Sequence, residues 1–233
     1  MAAELSPSAR QGQDRRDEIL DVAVDIFGSS GFAGARVDDV ARRVGIRRPS
    51  VLYHFADKQT LYAAALEAVV GEIASRIIAT EHQGRPEYAT GLRLEAIADV
   101  WVEFVLARPN AARMLLRELV DGSAGRDSKA VSSVRLMLES IQRALDERVA
   151  AESSASSATR KSLGAAEFSL ILSSTSLVWV AGQTAVKGAL GLDTLAPQAI
   201  ARHRRTLHSM IRQLLVAAEE TEAPPQAEMP VAR

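Results

Sequence analysis

The sequence predicts an all-α protein of about nine helices, and three observations carry that prediction. No run alternates polar and apolar residues over strand length, and no Asn-Gly or Asp-Gly turn joins two such runs. Alanine, leucine and arginine, all strong helix formers, carry much of the chain, while aromatics make up only 4%. Apolar residues recur at helical spacing from residue 19 onward.

Residues 1–13 read as a polar tail. The first helix spans about Arg15 to Ser29, with Ile19, Ala23, Ile26 and Phe27 in one stripe, and Gly28, Gly31 and Gly34 break it. A second helix covers Val37 to Val44 and stops at Gly45, where a helix C-terminus favours a residue free to take positive φ. The third runs from Pro49 to Phe55, and the fourth from Asp57, a suitable N-cap, to about Thr80. Helices over 87–107, 110–120 and 128–151 follow, then a small-residue linker at 152–159. A long helix over 160–189 and a last one over 198–218 precede a proline-rich tail, 219–233.

The chain holds 28 basic and 29 acidic side chains, so an attraction to nucleic acid has to be local. The absence of cysteine excludes disulfides, thiolate catalysis and Cys-ligated metals. His54, His82, His203 and His208 are scattered, and the last two are five apart rather than four, so no metal site is expected. Phosphate-binding glycine loops and a nucleophile elbow are also missing, and neither catalytic residues nor a cofactor is expected. The first eighteen residues lack a signal-peptide core. Phe168 to Val186 carries no charge over a span long enough for a bilayer. Its serines, threonines and Gln183 fit a buried helix better, so no membrane partner is expected.

Val37 to Phe55 carries the functional signal. Ala41 lets a following helix approach closely, Gly45 makes a tight turn, and Val40, Val44, Ile46 and Val51 lock the pair onto the first helix. This is the pattern of a helix-turn-helix, whose second helix enters the major groove. Arg42, Arg43, Arg47 and Arg48 lie in a stretch, Val40–Ala56, without an acid. Such a surface suits phosphates, and arginine also pairs with guanine. A solvated basic face is the alternative for the arginines alone.

Residues 15–66 resemble the N-terminal domain of TetR/AcrR-family transcriptional regulators. The resemblance rests on Ile19-Leu20, Ala23, Phe27, Gly31-Phe32, Val37, Val40-Ala41, Val44-Gly45-Ile46, Leu52-Tyr53-His54-Phe55, Lys58 and Leu61. It implies a DNA-binding domain at 14–65 and a ligand-sensing and dimerisation domain at 66–218. It also implies a recognition helix at Arg47–His54. Arg47, Arg48, Pro49, Ser50, Tyr53 and His54 then face DNA, Lys58 meets a phosphate, and Leu52 and Phe55 stay in the core. Arg36 and Arg47 depart from the family pattern, because they stand where threonine or serine normally caps a helix. Arg36 is placed to reach a phosphate instead, with Asp38 or Asp39 available as caps.

In the second domain Trp101, Phe104, Met114, Met137, Ile141, Phe168 and Trp179 are candidates to line a ligand pocket, with plain core packing as the alternative. Glu103 and Glu118 read as pocket anchors or as exposed helix residues. Ser169, Leu172, Ser173, Ser176 and Val180, with Leu207, Ile211 and Leu214, form the candidate dimer face. The expected protein is a cytoplasmic, nucleoid-associated homodimer in a bacterium, with double-stranded DNA carrying a palindromic operator and a small-molecule effector as partners. It is expected to repress transcription and not to be an enzyme. The alternatives are a DNA-binding dimer without an effector and a helical enzyme with its site in the second domain.

Overall fold

The structure is a computed structural model that describes residues 7–83, 90–121, 135, 138–139, 141–142 and 165–220. Among them are nine helices and no strand. These are α1 (Pro7–Gly34), α2 (Val37–Val44), α3 (Arg48–His54), α4 (Lys58–Gln83), α5 (Thr90–Ala107), α6 (Pro109–Asp121), α7 (Ala165–Ala181), α8 (Gln183–Leu190) and α9 (Pro197–Glu220). Most of the expected helix at 128–151, the linker at 152–159, Met137 and residues 221–233 lie outside the described residues.

α1 begins at Pro7 rather than Arg15, so residues 7–13 are helical and not a tail. Apolar periodicity misses this extension because side-chain pairs support it instead. Gln13 Nε2 donates to Asp17 Oδ1 at 2.8 Å, and Arg15 meets Glu18 at 2.6 Å. Gly31, at φ 72°, breaks the helix. α4 begins as expected: Asp57 Oδ1 accepts the Thr60 backbone N–H at 2.7 Å. That bond, with a further one from Gln59, holds the Asp57 carboxyl below its ordinary pKa.

A single core joins the two halves. Ile19, Ala23 and Phe27 of α1 meet Val40 and Val51 of the turn and Leu61 and Ala65 of α4. The same cluster continues into Ile97, Phe104, Met114, Phe168 and Leu177. The Tyr62 ring stands edge-on to Phe27 (5.0 Å) and Phe32 (5.1 Å). α1 also packs closely on α6. A Cβ on Gly28 would overlap the Asn110 carbonyl, so only glycine permits this approach.

The expected single helix over 160–189 is two helices, bent by 71°. The bend falls at Gly182, whose N–H bonds the Val178 carbonyl at 2.9 Å while Gln183 starts a new axis. No single described helix is long and apolar enough to cross a membrane.

Much of the candidate dimer face lies inside the chain. Leu172, Ser176, Val180, Leu207 and Ile211 are buried within the chain, and Ser169 and Ser173 are half-buried. Leu172 and Val180 of α7 and Leu207 and Ile211 of α9 belong to the chain's own core. The Leu214 side chain lies outside the described ones. The outer surface carries Leu170 (61% exposed) and Val178 (50%) instead.

Candidate nucleic-acid interface

The turn between α2 and α3 follows from its sequence. Gly45 takes φ 77°, ψ 27°, a left-handed conformation. Its N–H bonds Arg42 O at 3.2 Å, while the Ile46 N–H reaches back to Ala41 O at 2.9 Å. This pair of bonds is a Schellman motif, which satisfies the last carbonyls of α2 and redirects the chain. Ile46 packs on the core just beyond it, and Pro49 sits in the first turn of α3, where its missing N–H costs nothing.

α3 is anchored by buried Val51 and by Phe55 just after it, with Leu52 half-buried. Arg16 of α1 lies over the Phe55 ring, 5.0 Å from its centre. The opposite face of α3 is open. Arg47, Arg48, Pro49 and Ser50 are exposed, Tyr53 is 87% exposed, and His54 is half-buried against the Tyr53 ring at 5.4 Å. Arg36 is exposed at the start of α2. Lys58 is half-buried: its Nζ donates to Ala33 O at 3.2 Å and lies 4.7 Å from the centre of the Phe32 ring. The eight candidate residues thus lie at the start of α2, on and just before α3, and at the start of α4.

Charge at this surface is less uniform than the acid-free stretch suggests. Residues 36–58 hold six basic and three acidic side chains, a local excess of three positive charges against −1 for the whole chain. Arg42 pairs with Asp39 at 3.0 Å, Arg48 with Asp38 at 3.5 Å and Arg43 with Asp25 at 2.8 Å. The first two partners lie within ten residues of their arginines and were within reach of a sequence reading. Asp25 is eighteen positions from Arg43, on α1, and no local signal points to it. Neither Arg36 nor Arg47 makes a side-chain cap bond. Asp38 and Asp39 face arginines, and no capping bond from either is present among the described contacts.

The candidate pocket residues sit elsewhere. Trp101, Phe104, Met114, Ile141 and Phe168 are buried in the common core. Trp179 is half-buried and lines a slot with Val102, Val105, Leu106, Ser176, Val180, Ile200 and His203 that is packed shut. Its indole N–H donates to Thr194 O at 2.9 Å, and its ring stacks on His203 at 4.6 Å. His203 and His208 face different partners: the latter lies 3.5 Å from Glu95 and 3.2 Å from Asp99 on α5. Glu103 is exposed, whereas Glu118 accepts the Tyr62 hydroxyl at 2.9 Å. That contact, after burial itself, raises the Tyr62 pKa.

An all-α chain with this turn and an open polar recognition face is a helix-turn-helix protein. Residues 19–65 match the family model of bacterial regulatory proteins, tetR family, and the match lies within this N-terminal domain. Among similar sequences is the biofilm operon icaADBC HTH-type negative transcriptional regulator IcaR of Staphylococcus aureus. It is 27% identical over 90 residues, 39% of this chain and 45% of that one. The HTH-type transcriptional regulator RutR of Escherichia coli is 27% identical over 109 residues, 47% of this chain and 50% of its own. The chain thus spans about half the length of the curated relatives it matches.

Solved structures extend the likeness to the fold of most of the chain. A tetR-family transcriptional regulator from Streptomyces coelicolor has a TM-score of 0.60 at 20% identity, covering 90% of this chain and 84% of that one. The regulator FadR from Bacillus subtilis, solved in complex with stearoyl-CoA, has a TM-score of 0.57 at 13% identity, covering 85% and 97%.

Proposed function

We propose that this protein is a homodimeric repressor that places α3 in successive major grooves of a palindromic operator and leaves it when a small molecule binds the second domain. The observation that carries the DNA-binding part is the open face of α3. Arg48, Ser50 and Tyr53 point away from a helix whose other side is locked by Val51 and Phe55. Arg36, Arg47 and Lys58 flank it with cations for the phosphate backbone, and His54 adds an imidazole at the edge. Repression is the activity named for the Staphylococcus aureus relative. Such a protein works in the bacterial cytoplasm, at the nucleoid.

Dimerisation is proposed on the outer faces of α7 and α8, where Leu170, Val178 and Leu190 lie exposed. A two-fold pair of heads then meets half-sites ~34–36 Å apart, one helical turn of DNA. The effector's effect is a shift between two spacings of the heads, of which only one fits. The Bacillus subtilis neighbour, with its stearoyl-CoA, supports a small molecule as the effector class. Because the slot lined by Trp179 is shut, ligand entry here needs the core to open.

Selection of bound duplexes from a random pool, repeated as salt rises, tests the reading. A palindromic motif is expected, with affinity falling by roughly 10³-fold or more from about 50 to about 200 mM salt if six or more phosphates are held. Weak binding without sequence preference contradicts it.

A further inference from the structure

We infer that Arg117 is a positioning residue: from α6 it caps the broken end of α1 and thereby fixes the angle of the DNA-binding head on the second domain. α1 loses its helical course at Gly31, and the carbonyls of the preceding turn are the ones short of amide partners at such an end. Arg117 supplies the donor. A single guanidinium nitrogen, Nη1, donates to Phe27 O at 3.0 Å and to Gly28 O at 2.8 Å. A cation at a helix C-terminus is also favoured by the helix dipole. The guanidinium lies beside Gly31 itself, 3.6 Å from where a Cβ would stand.

A second grip lies two helical turns away on α6. Asn110 abuts Gly28 through its backbone and donates from Nδ2 to Asp25 Oδ1 at 3.1 Å. One grip leaves a pivot, whereas two fix an angle. Asn110 and Arg117, seven residues apart on α6, grip α1 on either side of the Gly28 contact, through the Asp25 side chain and through the Phe27 and Gly28 carbonyls. These contacts carry the positioning role of Arg117; its effect on DNA rests on the function proposed above.

Because one nitrogen makes both bonds, a lysine ammonium can replace it and a methionine cannot. The chain has no cysteine, so Ala56→Cys and Thr206→Cys, both exposed, accept a unique nitroxide pair. Diluting the labelled protein with excess unlabelled chain leaves only the distance within one chain to be read. Arg117→Met is expected to broaden that distance distribution about twofold, a pivot replacing a fixed hinge. Arg117→Lys keeps it narrow. Ile97→Val, which loosens the second domain's core away from this contact, also keeps it narrow. If the methionine chain does not fold, Arg117→Gln is read in its place.

A distribution in the Arg117 variant coincident with the parent's overturns the proposal, as does equal broadening by Ile97→Val. On DNA, Arg117→Met is expected to discriminate less than the parent between operators whose half-sites are moved by one base pair. Failure of the parent to select any operator counts against the proposed function, while the spin-label distances still decide the role of Arg117.

Discussion

Arg47 differs from the other arginines of the turn because no carboxylate pairs with it among the described residues, whereas Arg42, Arg43 and Arg48 each have one. An unpaired exposed guanidinium ahead of α3 is free to meet a phosphate without first breaking an ion pair. Arg47→Ala is therefore expected to weaken binding to every duplex alike and to lower the salt slope by about one. Titration of operator and scrambled duplex at several salt concentrations measures both. His203 gives a prediction about stability instead. Burial against Trp179 and Ser176 lowers its pKa from the ordinary 6.5, so the folded chain favours the neutral ring. The unfolded chain then takes up a proton more readily. Stability from this site is complete above pH 6.5 and declines as the pH falls below it. Thermal melts across that range should show Tm falling toward acid, less so in His203→Phe.

At the scale of elements, the turn was legible because its determinants are neighbours. Ala41, Gly45, Ile46 and Pro49 each act within a few residues, so spacing alone gave the end of α2 and the start of α3. Gly45→Val forces a β-branched residue into the left-handed region and is expected to cost about 1–2 kcal/mol, read from the denaturation midpoint. The α7–α8 stretch was harder to read. Apolar periodicity continues on both sides of Gly182 and carries no information about the axis, so the 71° bend was invisible. Both faces of α7 are small or apolar, and a 3.6-residue period does not say which of them a neighbour covers. The structure buries the face with Leu172, Ser176 and Val180 and leaves Leu170 and Val178 outside. Leu170→Arg combined with Val178→Arg is accordingly expected to shift a dimer to monomer in sedimentation, with helical content retained.

In the whole molecule, what the sequence hid are contacts between distant segments. The meeting of Gly28 with Asn110, the hold of Arg117 on α1 and the pairing of Arg43 with Asp25 join segments that no local pattern relates. The first two bind the head to the second domain, and the third holds α2 on α1 within the head. On the proposed function, the open face of α3 reads base edges. This reading is tested most directly by comparing the parent, Arg48→Ala and Tyr53→Ala on the selected operator and on a scrambled duplex. Each substitution is expected to cost about 1–3 kcal/mol on the operator, the worth of a good base contact. Tyr53→Ala should leave the scrambled duplex unaffected, and neither variant should lose helical content. Operator affinities equal to the parent's in both variants would contradict the account and move the DNA-reading surface away from α3.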